Sequence, residues 1–370
     1  MIETLPDRIA ALPAEERRMC EQLLYVDTAT GYTVPPASME PWIVQHFGAI
    51  DDVRTQTIIK VTNRLTLESA LFNPVRARRP SSGMRAAEAP QDSALEQWIA
   101  QELAEHDIFH EPERTTTADV FGRIHGRYCV SASNVAKYDG WHGLVIFDDP
   151  HPLHIGADQL RDFLETARRW IAAAHAHDPA AIYPVITWNC LPKSGATLMH
   201  GHMQIGLARG MHYAKIEAWR RAAEQYRASA GASYLGDLLA LHAALGLEIP
   251  CGGATRAVAH LTPVRNREIL FALGAADQPS LPNLDDLADT IAAVLQRLIG
   301  SQGMRAFNLA IALPPIGPCA ERWSDMPIIA RLGDRGDPLA SRNDVGAMEL
   351  FVAGCITADP FEVAAALRAS

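Results

Sequence analysis

Two histidines and a glutamine alternate along one short segment in the middle of the chain. His200, His202 and Gln204 lie in the sequence MHGHMQIGLAR, which predicts a strand over 200–208. Alternate residues of a strand point to the same face, so this strand presents two imidazoles and a carboxamide together. A neutral imidazole can accept and release a phosphoryl group near neutral pH. The pattern therefore indicates chemistry at phosphorus, with a histidine as the nucleophile.

The residues just before this strand are of the types that hold phosphate. An apolar segment over 182–190 predicts a strand, and a short polar loop follows it. Main-chain N–H groups, hydroxyls and an ammonium group bind phosphate oxygens and stabilise the charge that develops on them during transfer. The predicted phosphate-binding residues of this loop are Lys193, Ser194, Gly195 and Thr197.

Other interpretations of the two histidines stay open at this point. A His-x-His pair on a strand is also a common pair of metal ligands. The cupin version of that site needs a glutamate about four residues further on, where Gly206 and Leu207 stand instead. A hydrogen-bonded pair buried in the core is the remaining interpretation.

The composition narrows the class of protein. The chain has 370 residues, of which 48% are hydrophobic and 21% charged, and its formal net charge is −10. This charge argues against a nucleic-acid coat or a membrane-surface role. The apolar runs are shorter than the roughly 18–20 residues that span a bilayer, and no secretory signal is visible at the N-terminus. The six cysteines are scattered without a CxxC pair, which favours reduced thiols and a cytoplasmic location.

The elements that must position the histidines form a pattern that occurs twice. Strand, strand, helix, strand, strand is predicted over 123–131, 141–148, 156–177, 182–190 and 200–208, and again over 255–263, 267–273, 283–299, 307–313 and 326–332. A duplicated α+β unit follows from this repeat. In the second copy the sequence MPIIARL takes the place of the histidine strand. We therefore predict an N-terminal extension over 1–115, a catalytic half over 116–246 and a second half without catalytic histidines over 247–370.

These residues resemble the duplicated branch of the histidine-triad superfamily, which contains galactose-1-phosphate uridylyltransferase and the diadenosine-tetraphosphate phosphorylases. The matching residues are Asn189, Gly195, Thr197, His200, His202 and Gln204. The resemblance implies a duplicated histidine-triad-like half-barrel, with two antiparallel-sheet repeats and their helices forming one pseudo-symmetric unit. It also implies that His202 attacks the α-phosphorus to give a covalent nucleotidyl-histidine, while Gln204 hydrogen-bonds the phosphoryl group. His200 is expected to position the loop or the leaving group.

Looser matches extend the resemblance. Residues 73–80 are similar to an arginine-rich segment near the family's nucleotide site, which implies substrate contacts for Arg76, Arg78 and Arg79. His151 falls where the family has a zinc-ligand histidine. The family's cysteine pair is missing, because residues 81–84 read Ser-Ser-Gly-Met. No metal site is therefore predicted, although zinc is the metal that the family carries. The resemblance further implies a homodimer.

The sequence as a whole predicts a nucleotidyltransferase. It would move a nucleoside monophosphate from a nucleoside-diphosphate sugar or a dinucleoside polyphosphate to phosphate or a sugar 1-phosphate. The expected partners are these nucleotides and phosphates, with no nucleic acid and no membrane. The alternatives are a histidine-triad nucleotide hydrolase, a nucleotide-binding protein without turnover, and a metal-binding protein.

Overall fold

The fold is described by a computed structural model over residues 1–78, 90–274, 281–340 and 344–369. Its strands are β1 (Leu24–Tyr32), β2 (Thr55–Asn63), β3 (Ser69–Phe72), β4 (Cys129–Ser133), β5 (Trp141–Phe147), β6 (Ala181–Cys190), β7 (His202–Arg209), β8 (Glu248–Ile249), β9 (Arg256–Ala259), β10 (Asn266–Leu273), β11 (Phe307–Ala312), β12 (Ile328–Asp334) and β13 (Gly354–Ile356). Its helices are α1 (Leu5–Ala10), α2 (Ala14–Leu23), α3 (Glu40–Phe47), α4 (Ile50–Arg54), α5 (Pro74–Ala77), α6 (Pro90–His106), α7 (Pro112–Thr115), α8 (Ala157–His177), α9 (Ala214–Ala230), α10 (Tyr234–Ala244), α11 (Asp285–Gln302), α12 (Ala347–Phe351) and α13 (Pro360–Ala369). Among the described residues, no helix combines the length and the apolar character needed to cross a membrane.

A nine-stranded sheet holds the two copies of the repeated unit side by side. Its strand order is β4-β5-β7-β6-β11-β12-β10-β9-β8. The first copy contributes β4 to β7 with α8, and the second contributes β9 to β12 with α11. The copies meet where β6 pairs antiparallel with β11, with Asn189 opposite Asn308. The predicted α+β fold with a duplicated unit is confirmed.

One face of this sheet is covered by the long helices. Phe163 and Trp170 lie on the buried apolar side of α8. Gly143 of β5 faces this helix so closely that an added Cβ would lie 2.4 Å from the Trp170 ring. Burying a side chain of this size contributes about 1.5–3 kcal/mol. The packing of α8 thus fixes which face of β5 and β7 remains for the site.

The opposite face, called here the histidine face, carries His202 and Gln204. Residues directly opposite on antiparallel strands share a face, and Gln204 lies opposite Leu144 on β5 and Thr187 on β6. In the second copy, Arg331 lies opposite Ala310 of β11 and so also points to this face.

The histidine face of the second copy is filled rather than open. Arg331 donates to the buried Glu268 carboxylate at 2.6 and 2.9 Å. His260 contacts the same carboxylate at 3.0 Å. Arg331 also bonds Glu68, at 2.6 Å, and its guanidinium lies over the Trp219 ring. A buried ion-pair cluster therefore occupies this part of the second half.

A smaller sheet of the order β1-β2-β3-β13 packs beside the second copy. Asn63, at the end of β2, donates to the Tyr234 hydroxyl at 2.7 Å. The C-terminal strand β13 runs parallel to β3, so residues 354–356 complete the N-terminal sheet. The domain boundaries at 115/116 and 246/247 stay a prediction.

One predicted strand differs in extent from the structure. A strand was expected over 123–131, but β4 begins at Cys129. The residues before it form an irregular hairpin, in which Ile124 N–H donates to the Ser131 hydroxyl and His125 makes a single bridge to Val130.

Candidate active site

His202 is the first residue of β7, and its ring is held in one tautomer. Its Nδ1 lies 2.8 Å from the main-chain oxygen of His200. A carbonyl oxygen can only accept, so Nδ1 carries the proton and Nε2 keeps its lone pair. The residue is only 8% exposed. Burial is the main cause that lowers the pKa of His202, and the neighbouring His200 adds to it. The ring is therefore held as a neutral imidazole with Nε2 as its nucleophilic atom.

The contacts of His200 differ from those of His202, because both ring nitrogens of His200 face oxygen acceptors. Nδ1 lies 2.9 Å from both carboxylate oxygens of Asp107, and Nε2 lies 2.7 Å from the main-chain oxygen of Phe147. Both ring nitrogens of His200 are therefore engaged by oxygen atoms. The His200 and Asp107 side chains are 5% and 7% exposed. This buried pair fixes the carbonyl oxygen that selects the tautomer of His202.

Apolar side chains surround the histidine pair. Phe109 packs edge-on against both rings, with centroids 5.8 Å from His200 and 5.3 Å from His202. It belongs to a separate buried cluster with Val130, Ala132, Leu144 and Ile146. These side chains exclude water from the rings and support the low pKa of His202.

Gln204 lies one step further along the histidine face, and its carboxamide is oriented by two donors. Its Oε1 accepts from His142 Nε2 at 3.0 Å and from the Tyr138 hydroxyl at 3.2 Å. The main-chain N–H of Tyr138 donates to His142 Nδ1, which assigns the ring proton of His142 to Nε2. Burial lowers the pKa of His142, in keeping with a neutral ring. The carboxamide oxygen of Gln204 is thus engaged as an acceptor, and its amide nitrogen forms the donor end of the group.

Asn189 has its carboxamide oriented in the same way. Its Oδ1 accepts from Asn308 Nδ2 at 2.7 Å, which leaves its own NH₂ group as a donor. The pairing of β6 and β7 puts Thr187 opposite Gln204. Continuing this register by two residues places Asn189 across from His202. Asn189 and Gln204 thus lie beside His202 on the histidine face.

The loop between β6 and β7 is a tight turn rather than an open ring of N–H groups. Its Ser194, Gly195 and Ala196 N–H groups bond back to the carbonyls of Leu191 and Pro192. Gly195 has a φ of 94°, a conformation that favours glycine. The hydroxyl of Ser194 is buried and has no hydrogen-bond partner in the described part of the chain. Ser194 is thus a polar group that a ligand could satisfy.

The other predicted loop residues are placed differently. Lys193 donates from Nζ to the main-chain oxygen of Ala340 at 3.0 Å, which ties the loop to the second half. Thr197 and Gly195 are exposed. Phosphate binding by Lys193, Ser194, Gly195 and Thr197 stays a prediction.

The arginines of the N-terminal extension form contacts of their own. Arg78 pairs with Asp52 at 2.6 Å and donates to the main-chain oxygen of Phe47. Arg76 is exposed in the short helix α5. In the described residues, no hydrogen bond or ion pair joins either arginine to the loop between β6 and β7. Arg79 lies outside the described residues, and the substrate contacts of all three arginines stay a prediction.

The metal question depends on His151 and its surroundings. His151 Nε2 contacts Glu96 at 3.0 Å, and its ring stacks on His154 at 3.8 Å between centroids. Within the described ranges, no group of three or more histidine, cysteine, aspartate or glutamate residues is placed to hold a metal ion.

Sequence reasoning missed the residues that orient this site. Asp107, His142, Tyr138 and Asn308 carry no spacing that links them to the histidine strand. The one available signal was the polar bend SASNVAKYDGWHG, which contains Tyr138 and His142.

Solved structures with the same architecture give the fold its context. The chain is similar to an ADP-glucose phosphorylase from Arabidopsis thaliana with bound ADP-glucose, at a TM-score of 0.63 and 16% identity, covering 83% of this chain and 96% of that one. It is similar to a galt-like protein from Arabidopsis thaliana at a TM-score of 0.59 and 15% identity, covering 70% of this chain and 90% of that one. A uridylyltransferase structure matches at a TM-score of 0.55 and 14% identity, covering 66% of this chain and 85% of that one.

No protein-family model matches the sequence, and no curated protein matches it either. At identities of 14–16%, the three structures establish a likeness of fold. The sequence resemblance carried by the His-x-His-x-Gln strand pointed to this same group of proteins, and the fold bears it out. The chain therefore shares the fold of these phosphorylase and uridylyltransferase structures.

Proposed function

We propose that the protein is a nucleotidyltransferase that works through a covalent nucleotidyl-histidine at His202. The donor is a nucleoside-diphosphate sugar or a dinucleoside polyphosphate, and the acceptor is phosphate or a sugar 1-phosphate. One observation carries the proposal. The hydrogen bond from Nδ1 to the His200 carbonyl, at 2.8 Å, leaves Nε2 of the buried, neutral His202 ring with its lone pair.

In the first step, the lone pair of His202 Nε2 forms a bond to the α-phosphorus. The bond from this phosphorus to its bridging oxygen breaks, and the leaving phosphate departs with the electron pair. The ring now carries a positive charge, because Nδ1 keeps its proton. The His200 carbonyl oxygen stabilises that charge.

In the second step, an oxygen of the acceptor attacks the same phosphorus, and the N–P bond breaks to restore the neutral imidazole. Negative charge develops on the non-bridging oxygens in both steps. The amide nitrogens of Asn189 and Gln204 are suited to stabilise it, because the oxygen of each carboxamide is already engaged as an acceptor. Two displacements at one nucleophile give ping-pong kinetics.

The test is a nucleotide panel followed by intact mass. ADP-glucose is a suitable first donor, because a structure of similar fold binds it. We expect an acid-labile mass increase of one nucleoside monophosphate on the wild type and none on His202→Ala. His106→Ala is the matched control, since His106 lies exposed at the end of α6. It should form the adduct as the wild type does.

Turnover distinguishes the proposed reaction from the hydrolase alternative. With phosphate or a sugar 1-phosphate as the true acceptor, product formation rises with the acceptor concentration. Equal turnover without any acceptor would assign the protein to the hydrolases. A wild type that binds nucleotide but never forms an adduct would refute the transferase proposal.

A further inference from the structure

The half of the chain that lacks catalytic histidines reaches the candidate site through Asn308. This residue lies on β11 directly opposite Asn189 of β6. Its Nδ2 donates both to Asn189 Oδ1 at 2.7 Å and to the main-chain oxygen of Ser194 at 2.8 Å. One side chain therefore contacts both the strand and the loop on which the proposed phosphate ligands lie.

The orientation of Asn308 follows from partners that have only one hydrogen-bonding role. Arg335 Nη1 can only donate, and it lies 2.7 Å from the Asn308 carboxamide, which must present its oxygen there. The Ser194 carbonyl can only accept, so the Asn308 nitrogen must face it. Asn189 then meets a donor and has to present its own oxygen. Its NH₂ group is directed away from the second half as a consequence.

Arg335 is itself held in place. It forms a two-pronged pair with the Asp344 carboxylate at 2.7 and 2.8 Å. Burial alone would raise the pKa of the Asp344 carboxyl, but the hydrogen bonds from Arg335 outweigh it and the pKa lies below its ordinary value. The Asp344 carboxyl is therefore ionised at neutral pH. Arg335 thus donates to both Asp344 and Asn308, and Asn308 in turn donates to Asn189.

We propose that Asn308 and Arg335 are positioning residues of the active site. They hold the Asn189 carboxamide with its NH₂ group toward the α-phosphate and hold the loop at Ser194. The proposal rests on the function proposed above and extends it, because it makes the second half part of the catalytic apparatus. Neither residue touches the reacting atoms. Both act through Asn189 and the loop.

The substitution Asn308→Asp tests this with almost no change in shape. An aspartate keeps an acceptor for Arg335 but has no hydrogen to donate to Asn189 or Ser194. The Asn189 carboxamide must turn over to donate to the new carboxylate, which aims its oxygen at the phosphate. The phosphate then loses the hydrogen bond from the Asn189 NH₂ group and faces the Asn189 oxygen instead. This change should weaken nucleotide binding about tenfold or more. Asn283→Asp is the matched control, because Asn283 is a surface residue that precedes α11.

Binding is measured by calorimetry with ADP and ADP-glucose in the His202→Ala background, where no transfer takes place. A double-mutant cycle with Asn189→Ala separates positioning from a general structural effect. We expect Asn308→Asp to weaken binding strongly when Asn189 is present and much less when it is alanine. Equal losses in both backgrounds, with the stability in urea lowered, would assign Asn308 a structural role only.

A nuclear magnetic resonance measurement keeps the orientation testable apart from the function. The side-chain NH₂ signal of Asn189, identified by its loss in Asn189→Ala, should shift in Asn308→Asp because the group becomes bonded to a carboxylate. An unchanged signal overturns the orientation, whatever the protein catalyses. If the wild type forms the adduct but Asn308→Asp leaves the nucleotide affinity unaltered, the positioning role is overturned. If the Asn189 signal shifts but the protein forms no adduct, only the proposed function is overturned.

Discussion

The pair of Asp107 and His200 should be the most sensitive point outside the nucleophile. Both side chains are almost fully buried and lie 2.9 Å apart, so solvent screens their interaction little. Removing one partner of a buried pair typically costs 3–5 kcal/mol. Asp107→Asn retains an acceptor for His200 Nδ1 but removes the negative charge. We therefore expect a loss of about 3 kcal/mol in the free energy of unfolding.

The assay is urea unfolding followed by the adduct measurement. A loss of about 3 kcal/mol is roughly a hundredfold change in the folding equilibrium constant. It lowers the urea midpoint by about 1 M for a slope near 3 kcal/mol per M. Adduct formation should slow as well, by roughly a hundredfold if the His200 carbonyl moves by about 1 Å from His202 Nδ1.

Asp51→Asn is the control for this experiment. Asp51 pairs with Arg54 at 2.9 Å, but the two side chains are 83% and 51% exposed. Exposed pairs of this kind contribute about 0–1 kcal/mol. If Asp107→Asn cost no more than Asp51→Asn, and transfer continued at the wild-type rate, the account of the buried Asp107–His200 pair as the group that orients His202 would be wrong.

Three further predictions follow from the same geometry. Burial lowers the pKa of His202, so the imidazole stays neutral at pH values somewhat below its ordinary pKa of 6.5. The pKa read from the acid limb of the kcat/KM profile should therefore lie below 6.5, and a value of 6.5 or above contradicts this. Gly201→Ala should lower the free energy of unfolding by about 1–3 kcal/mol and impair transfer, because the added Cβ would lie 2.5 Å from the Phe147 ring. In the control Gly300→Ala the added Cβ meets nothing within 4 Å, so urea unfolding should be unchanged. Burial raises the pKa of Glu268, but Arg331 and His260 outweigh it and lower that pKa to about 2. The stabilisation from this carboxylate is therefore present above about pH 4.5 and lost toward pH 2, so the difference in urea stability between wild type and Glu268→Gln should shrink as the pH falls from 6 to 3.

The sequence predicted the elements that have one apolar side. The helix predicted over 156–177 and the strands predicted on either side of the β6–β7 loop lie within a few residues of their observed bounds. Each of these elements buries a regular apolar pattern against the core. Strand β1 was missed for the opposite reason. Residues 25–32 are mostly exposed on both faces, so they show neither the alternation nor the apolar run that indicates a strand.

The candidate site was only half visible in the sequence. The nucleophile and the glutamine lie two residues apart, and their spacing alone puts them on one face. Their partners lie far away along the chain: Asp107 is 93 residues from His200, and Asn308 is 119 residues from Asn189. Such contacts depend on the register between strands, which a local pattern does not contain.

The two copies of the repeated unit use the same face of the sheet in different ways. In the first copy, buried imidazoles stand on that face, and the amides beside them have hydrogens left to donate. In the second copy, Arg331 and Glu268 satisfy each other, and Glu68 and Trp219 cover them. This ion-pair cluster lies on β12, next to β11, and β11 carries Asn308 and pairs with β6. With the positioning role proposed for Asn308, the second copy supports the site instead of duplicating it, and the site of the first copy is complete only when both copies are folded.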